Sequence, residues 1–132
     1  MASVFTKIIN GEIPCYKVAE DELHIAFLDV FPLKKGHVLV VPKKETDNIF
    51  DIETEEYAAL MLFAQRVAKA MKVVIACKKI GVAVVGLEVP HAHIHLIPIN
   101  SVSDMNFGNT KLQFSKEELE QQALVIAAIF PN

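Results

Sequence analysis

The chain has 132 residues, 52% of them apolar and 22% charged, and a formal net charge of -3. That length supports a single domain, 1–132, with a real core. The apolar excess points to some surface buried between subunits, and the mildly acidic balance leaves no basic footprint for duplex nucleic acid. Cys15 and Cys77 form no CxxC, the longest apolar run (123–131) is too short to cross a bilayer, and the first residues lack a signal-peptide pattern, so a reducing cytoplasm without membrane attachment is expected.

In chain order, Ser3 is placed to cap a short helix over Val4 to Asn10, closed by Gly11 and followed by Pro14. Tyr16 to Glu20 and Leu23 to Leu28 read as a hairpin across Asp21-Glu22. Gly36 opens a third strand, His37 to Val41, stopped by Pro42. Thr54 starts the one long helix, in which Leu60, Phe63, Val67, Ala70, Met71 and Val74 recur at helical spacing down to about Cys77. Gly81 to Val85 and Val89 to Ile99 are the last two strands, turning at Gly86. Asn100 to Phe114 is polar and irregular. Ser115 with Glu118 makes a capping box ahead of a terminal helix. The order predicts an α+β fold with a mostly antiparallel five-stranded sheet.

Residues 91 to 95 read His-Ala-His-Ile-His. On a strand, side chains two apart share a face, so His91, His93 and His95 would stand in a row, roughly 6.5 to 7 Å apart along the strand. The flanking pair could then reach a tetrahedral group held by the middle imidazole. Ala92, Ile94 and Leu96 would face a core. A neutral imidazole can attack phosphorus, and its neighbours can hold the phosphoryl oxygens. His37, after Gly36 on another apolar strand, is a natural fourth member, while His24 reads as structural. The competing reading is a metal, since histidines at i and i+2 with a third elsewhere suit zinc. Against it, Glu88 is the one nearby acid and no cysteine lies at short spacing.

His-Ala-His-Ile-His-Leu-Ile-Pro, with Lys35-Gly36-His37 and Ala26-Phe27-Leu28-Asp29 upstream, resembles the histidine-triad (HIT) superfamily, and the segment from Phe5 to Pro14 is similar to the opening of its Hint branch. The match runs from about residue 3 to residue 99, leaving 100–132 as a variable C-terminal segment. The resemblance implies a nucleotide-binding hydrolase or nucleotidyl transferase acting on an α-phosphate of purine nucleoside phosphoramidates or related AMP conjugates. It implies a covalent nucleotidyl-histidine, no metal in the chemical step and no cofactor, and a homodimer whose sheets join across the interface.

By the same resemblance His93 is the nucleophile, His95 holds a phosphate oxygen, and His91 and His37 complete the cluster. Asp29 matches the ribose-binding acid, and Val4, Phe5, Ile8, Phe27, Leu28, Val30 and Leu39 match the slot for the base, with Glu88 and Val89 beside the triad. The chain departs from the family pattern before the triad, where an asparagine and a glycine-rich loop ending Gly-Gln are usual. Here Gly81 to Pro90 is shorter and Leu87 stands where glutamine is common. A branch of the family binds structural zinc through an N-terminal CxxC. Those positions are Ser3 and Thr6 here, with Glu45 at a downstream histidine position, so no structural zinc is expected. The alternatives to hydrolysis of AMP conjugates are a nucleotide-binding module with little turnover, because the phosphate loop is trimmed, and a dinucleoside polyphosphate hydrolase.

Overall fold

The computed structural model describes residues 2–131. A five-stranded antiparallel sheet in the order β1-β2-β3-β5-β4 carries two helices on one face and a short third helix on the other. The strands are β1 (Lys17–Glu20), β2 (His24–Leu28), β3 (Val38–Pro42), β4 (Lys79–Ala83) and β5 (Ile94–Ile99), and the helices α1 (Val4–Ile9), α2 (Thr54–Val74) and α3 (Lys116–Ile129).

The three central strands are apolar almost throughout because both of their faces are covered. Period-two alternation sorts the side chains. Ala26, Leu28, Val38, Val40, Ile94 and Leu96 face α2 and α3, meeting Leu60, Phe63, Val67, Met71, Ala123 and Ile126. Ile25, Phe27, Leu39 and Val41 face the other way, against Phe5 of α1. Continuing that alternation by one step beyond each strand puts Asp29 and His37 on the α1 face. The hairpin pairs Leu28 with Val38, and the Asp29 N–H donates to the His37 carbonyl at 3.0 Å, so the two side chains emerge opposite each other.

Local chemistry explains most element ends. Ser3 Oγ accepts from the Thr6 N–H and starts α1, and the Ser115–Glu118 capping box starts α3. Helix α2 stops at Val74, three residues before the expected Cys77, where the β-branched run Val73-Val74-Ile75 turns extended. Ile75 then packs against the turn before β3. Gly36 in that turn has φ +87°, and a Cβ there would lie 2.5 Å from Ile75 Cδ1, so both conformation and space call for glycine. Strand β4 covers Lys79–Ala83 rather than 81–85.

The largest difference lies in β5, which begins at Ile94 and not at Val89. Pairing with β3 ends at Ile94 and pairing with β4 ends at His95, so the chain before them has no ladder to join. The Ala92 N–H instead donates to the Thr46 carbonyl at 2.7 Å, and that of His91 to the Val89 carbonyl at 2.8 Å. The polar 100–114 segment is also more ordered than its composition implies. It holds a 3-10 turn at Val102–Met105, whose Asp104 carboxylate accepts from the Asn100 and Ser101 N–H groups. Among the described residues, no helix is long and apolar enough to cross a membrane.

Candidate active site

On the α1 face, a cavity of about 350 Å³ opens between the β2–β3 turn, β5 and the loops that follow β4 and β5. Its lining includes Asp29, His37, His93, His95, Glu88 and Lys111, with Phe5, Leu39, Val89 and Phe107 as apolar walls. The volume falls within the range of roughly 300–1,000 Å³ usual for small-molecule sites. A larger groove of about 770 Å³ lies between α3 and the Lys34–Gly36 turn, but it is lined by no imidazole.

Hydrogen bonds fix which nitrogen of each histidine carries the proton. Leu33 N–H donates to His37 Nδ1 at 3.0 Å, so a neutral His37 is protonated at Nε2. That Nε2–H lies 3.0 Å from His95 Nδ1 and donates to it, which leaves the proton of His95 on Nε2. His93 Nδ1 sits 2.8 Å from the His91 carbonyl, which can only accept, so the His93 proton is on Nδ1 and the lone pair on Nε2. The rings of His93 and His95 are 4.9 Å apart. One backbone N–H and one backbone carbonyl thus set up a nucleophilic nitrogen beside an N–H donor.

Burial reinforces this arrangement. It pushes His37 down from 6.5 to about 3, helped by the neighbouring His95, and His95 down to about 4. His93 is also lowered, mainly by burial, so all three imidazoles are neutral at pH 7. Burial raises the Asp29 carboxyl, against the opposing hydrogen bond from the Phe31 N–H.

The row expected at 91 to 95 is split in two. His91 is fully buried, with Nδ1 2.7 Å from Ser3 Oγ and Nε2 donating to the Pro42 carbonyl at 2.8 Å, so neither nitrogen is free for a ligand. The chain has left the sheet at this point, and the ring turns toward α1. His91 meets the site through its carbonyl, which orients His93. His37, one residue before the strand next to β5, supplies the imidazole that flanks His95 besides that of His93.

The residues proposed for a base slot scatter. Phe5 and Leu39 line the cavity, as do Glu88 and Val89. Phe27 lies beneath Phe5, ring centroids 5.7 Å apart, and Ile8 packs on the same cluster. Leu28 faces α2, out of phase with Phe27 and Asp29, and Val4 and Val30 are largely exposed and outside the lining. Residues with no earlier assignment complete the walls. Phe107 sets its ring edge-on to His95 at 4.9 Å, and Lys111, Phe31 and Leu33 join it. Nothing in the sequence singled out Phe107 from Val102, Met105, Leu112 and Phe114, the other apolar residues of its mainly polar segment. His24 is structural, stacked on Phe63 and paired with Asp21.

Two metal readings fail on donor chemistry. Ligand atoms of Asp29, His37 and His95 lie within 4.8 Å of one another, but His37 Nε2 carries a proton while Nδ1 accepts from Leu33 N–H. A ligating nitrogen needs its lone pair. At the zinc-type positions, Ser3 N–H and Thr6 Oγ1–H both donate to Glu45 Oε1, at 2.8 and 2.7 Å, and Ser3 Oγ meets His91. Neutral hydroxyls are poor zinc ligands, and these four residues satisfy one another without an ion.

A neutral imidazole with its free nitrogen next to an imidazole N–H donor, a carboxyl and an aromatic-walled slot defines a class of site: a small-molecule cavity with several polar groups converging on one apolar-walled space. Residues 10–102 match the model of the HIT domain. The chain is 33% identical to the adenosine 5'-monophosphoramidase of Schizosaccharomyces pombe, over 91% of this chain and 92% of that one. Among solved structures it resembles a Hit-like protein of Bartonella henselae (34% identity, TM-score 0.83, 96% of this chain and 95% of that one) and a zinc-bound histidine triad protein of Mycobacterium smegmatis (26% identity, TM-score 0.80, 98% and 94%). The chain belongs to the HIT family.

Proposed function

We propose that the protein hydrolyses AMP conjugates, purine nucleoside phosphoramidates among them, through a covalent intermediate on His93. The observation that carries this is the bond from His93 Nδ1–H to the His91 carbonyl, which leaves Nε2 unprotonated in the cavity, beside His95. In the first step His93 Nε2 attacks the α-phosphorus, an N–P bond forms, and the bond from phosphorus to the leaving nitrogen breaks. The departing amine takes a proton from solvent. His95 Nε2–H donates to a phosphoryl oxygen as charge builds there, held in that tautomer by His37. Water then attacks phosphorus, the bond to His93 breaks, AMP leaves, and a proton returns to solvent.

Asp29, half-buried in the cavity wall, suits the two ribose hydroxyls, and the slot between Phe5, Leu39 and Val89 suits a purine. The similarity to the fission-yeast phosphoramidase supports this choice of substrate class. The test is release of AMP from adenosine 5'-phosphoramidate. Wild type should turn over many equivalents and His93→Ala should lose at least about a thousandfold, the order seen when a nucleophile is removed. Equal rates in the two proteins would refute the proposal.

A second reading has one observation in its favour. The turn after β4 is apolar, Leu87 is 90% exposed, and no polar side chain from 84–87 reaches the cavity, which fits a binding module with slow turnover. Tight AMP binding without AMP release in the same assay would favour it. We also propose a homodimer formed at the β4 edge, where Val82, Val84 and Val85 expose apolar surface beside unpaired backbone.

A further inference from the structure

Binding a phosphate in this cavity raises an electrostatic problem that its three histidines do not solve. The described lining carries two carboxyl groups, Asp29 and Glu88, and its three imidazoles are neutral at pH 7. An anion entering such a site meets no permanent positive charge from the strands. The turn after β4 supplies no polar side chain either. Lys111 is the one lysine or arginine among the described lining residues.

Its position is built rather than incidental. The Leu112 N–H donates to the Pro32 carbonyl at 2.8 Å, which ties the segment to the turn just after Asp29. On the other side Phe107 rests against His95. Between these anchors the Lys111 ammonium donates to the carbonyls of Phe107 and Asn109, leaving one N–H uncommitted. Its charge is felt at both Asp29 and His37.

We propose that Lys111 is a substrate-binding residue, the cationic contact for the nucleotide phosphate, and that through it the site selects phosphorylated over uncharged nucleosides. This rests on the nucleotide reading above and adds a determinant that lies outside the histidine row. An ammonium on a flexible stem suits the task, because it can swing from its loop carbonyls to a phosphate oxygen with little rearrangement.

Calorimetric titration of wild type, Lys111→Gln and Lys111→Arg with AMP and with adenosine, each at low and high salt, tests it. Lys111→Gln should weaken AMP roughly tenfold or more, the usual scale of a charge-assisted hydrogen bond, and flatten the salt dependence. Adenosine should change less than about twofold, and Lys111→Arg should retain most AMP affinity. Unchanged AMP affinity in Lys111→Gln, or equal weakening of AMP and adenosine, would overturn the proposal, the latter marking a residue that only braces its loop. Wild type binding neither ligand would overturn the nucleotide reading itself, and this proposal with it.

Discussion

At the scale of single residues, the site is governed by which nitrogen holds a proton, and this is set by the backbone. The His91 carbonyl assigns Nδ1–H to His93, and the Leu33 N–H assigns Nε2–H to His37. Because burial lowers His93 below its ordinary 6.5, the nitrogen proposed to attack is already free at neutral pH. The kcat/KM for an AMP amidate should therefore be flat from pH 7 to 8 and fall on the acid side with a midpoint below 6.5. A midpoint at or above 6.5 would mean that His93 is solvated or is not the attacking base. The spacing of the histidines made the row legible in the sequence, whereas the facing of Asp29 and His37 was not read there, because it depends on the pairing of β2 with β3. Leu28 was not read as core, although alternation from Phe27 to Asp29 puts it on the other face.

At the scale of elements, α1 is the brace for the histidine segment. Ser3 caps the helix through Thr6 N–H and also meets His91 Nδ1, so one hydroxyl joins helix start to triad. Ser3→Ala removes a cap worth about 1 kcal/mol and leaves a buried ring nitrogen unpaired, a further 1–3 kcal/mol. Thermal or urea unfolding should register a loss of about 2 kcal/mol or more, and a change below about 0.5 kcal/mol would contradict the double role. Capping signals at Ser3 and Ser115 and the helical period of α2 made these elements readable in advance. The start of β5 was not, because a strand ends where its partners end, and the limits of β3 and β4 are facts of the assembled sheet. Phe107 and Lys111 escaped for a similar reason: what brings them to the cavity is the Leu112–Pro32 bond, between segments far apart in sequence.

At the scale of the whole molecule, the site places a charge of its own on stability. His37, His93 and His95 are neutral in the fold, whereas in the unfolded chain they take a proton near pH 6.5, so acid favours unfolding. Their contribution is complete above about pH 6.5 and is lost as the pH falls toward about 4 for His95 and about 3 for His37. Each imbalance is worth up to about 1.4 kcal/mol per pH unit. Urea midpoints should drop between pH 6.5 and 5, before most carboxyl groups titrate, and the drop should be shallower in His37→Asn. No change across that interval would show that the imidazoles are solvated. The exposed β4 edge gives a second expectation at this scale. Wild type should sediment as a dimer and Val82→Glu/Val84→Glu as a monomer, while a monomeric wild type would remove the interface.

The central claim is that His93 Nε2 forms a bond to phosphorus, and the most direct measurement is the mass of the protein itself. Wild type mixed with excess AMP amidate and quenched within the first turnover should show a population heavier by one adenylyl group, mapped to the peptide carrying His93 and absent in His93→Ala. AMP released at the wild-type rate by His93→Ala, or an adduct mapped to another residue, would contradict it.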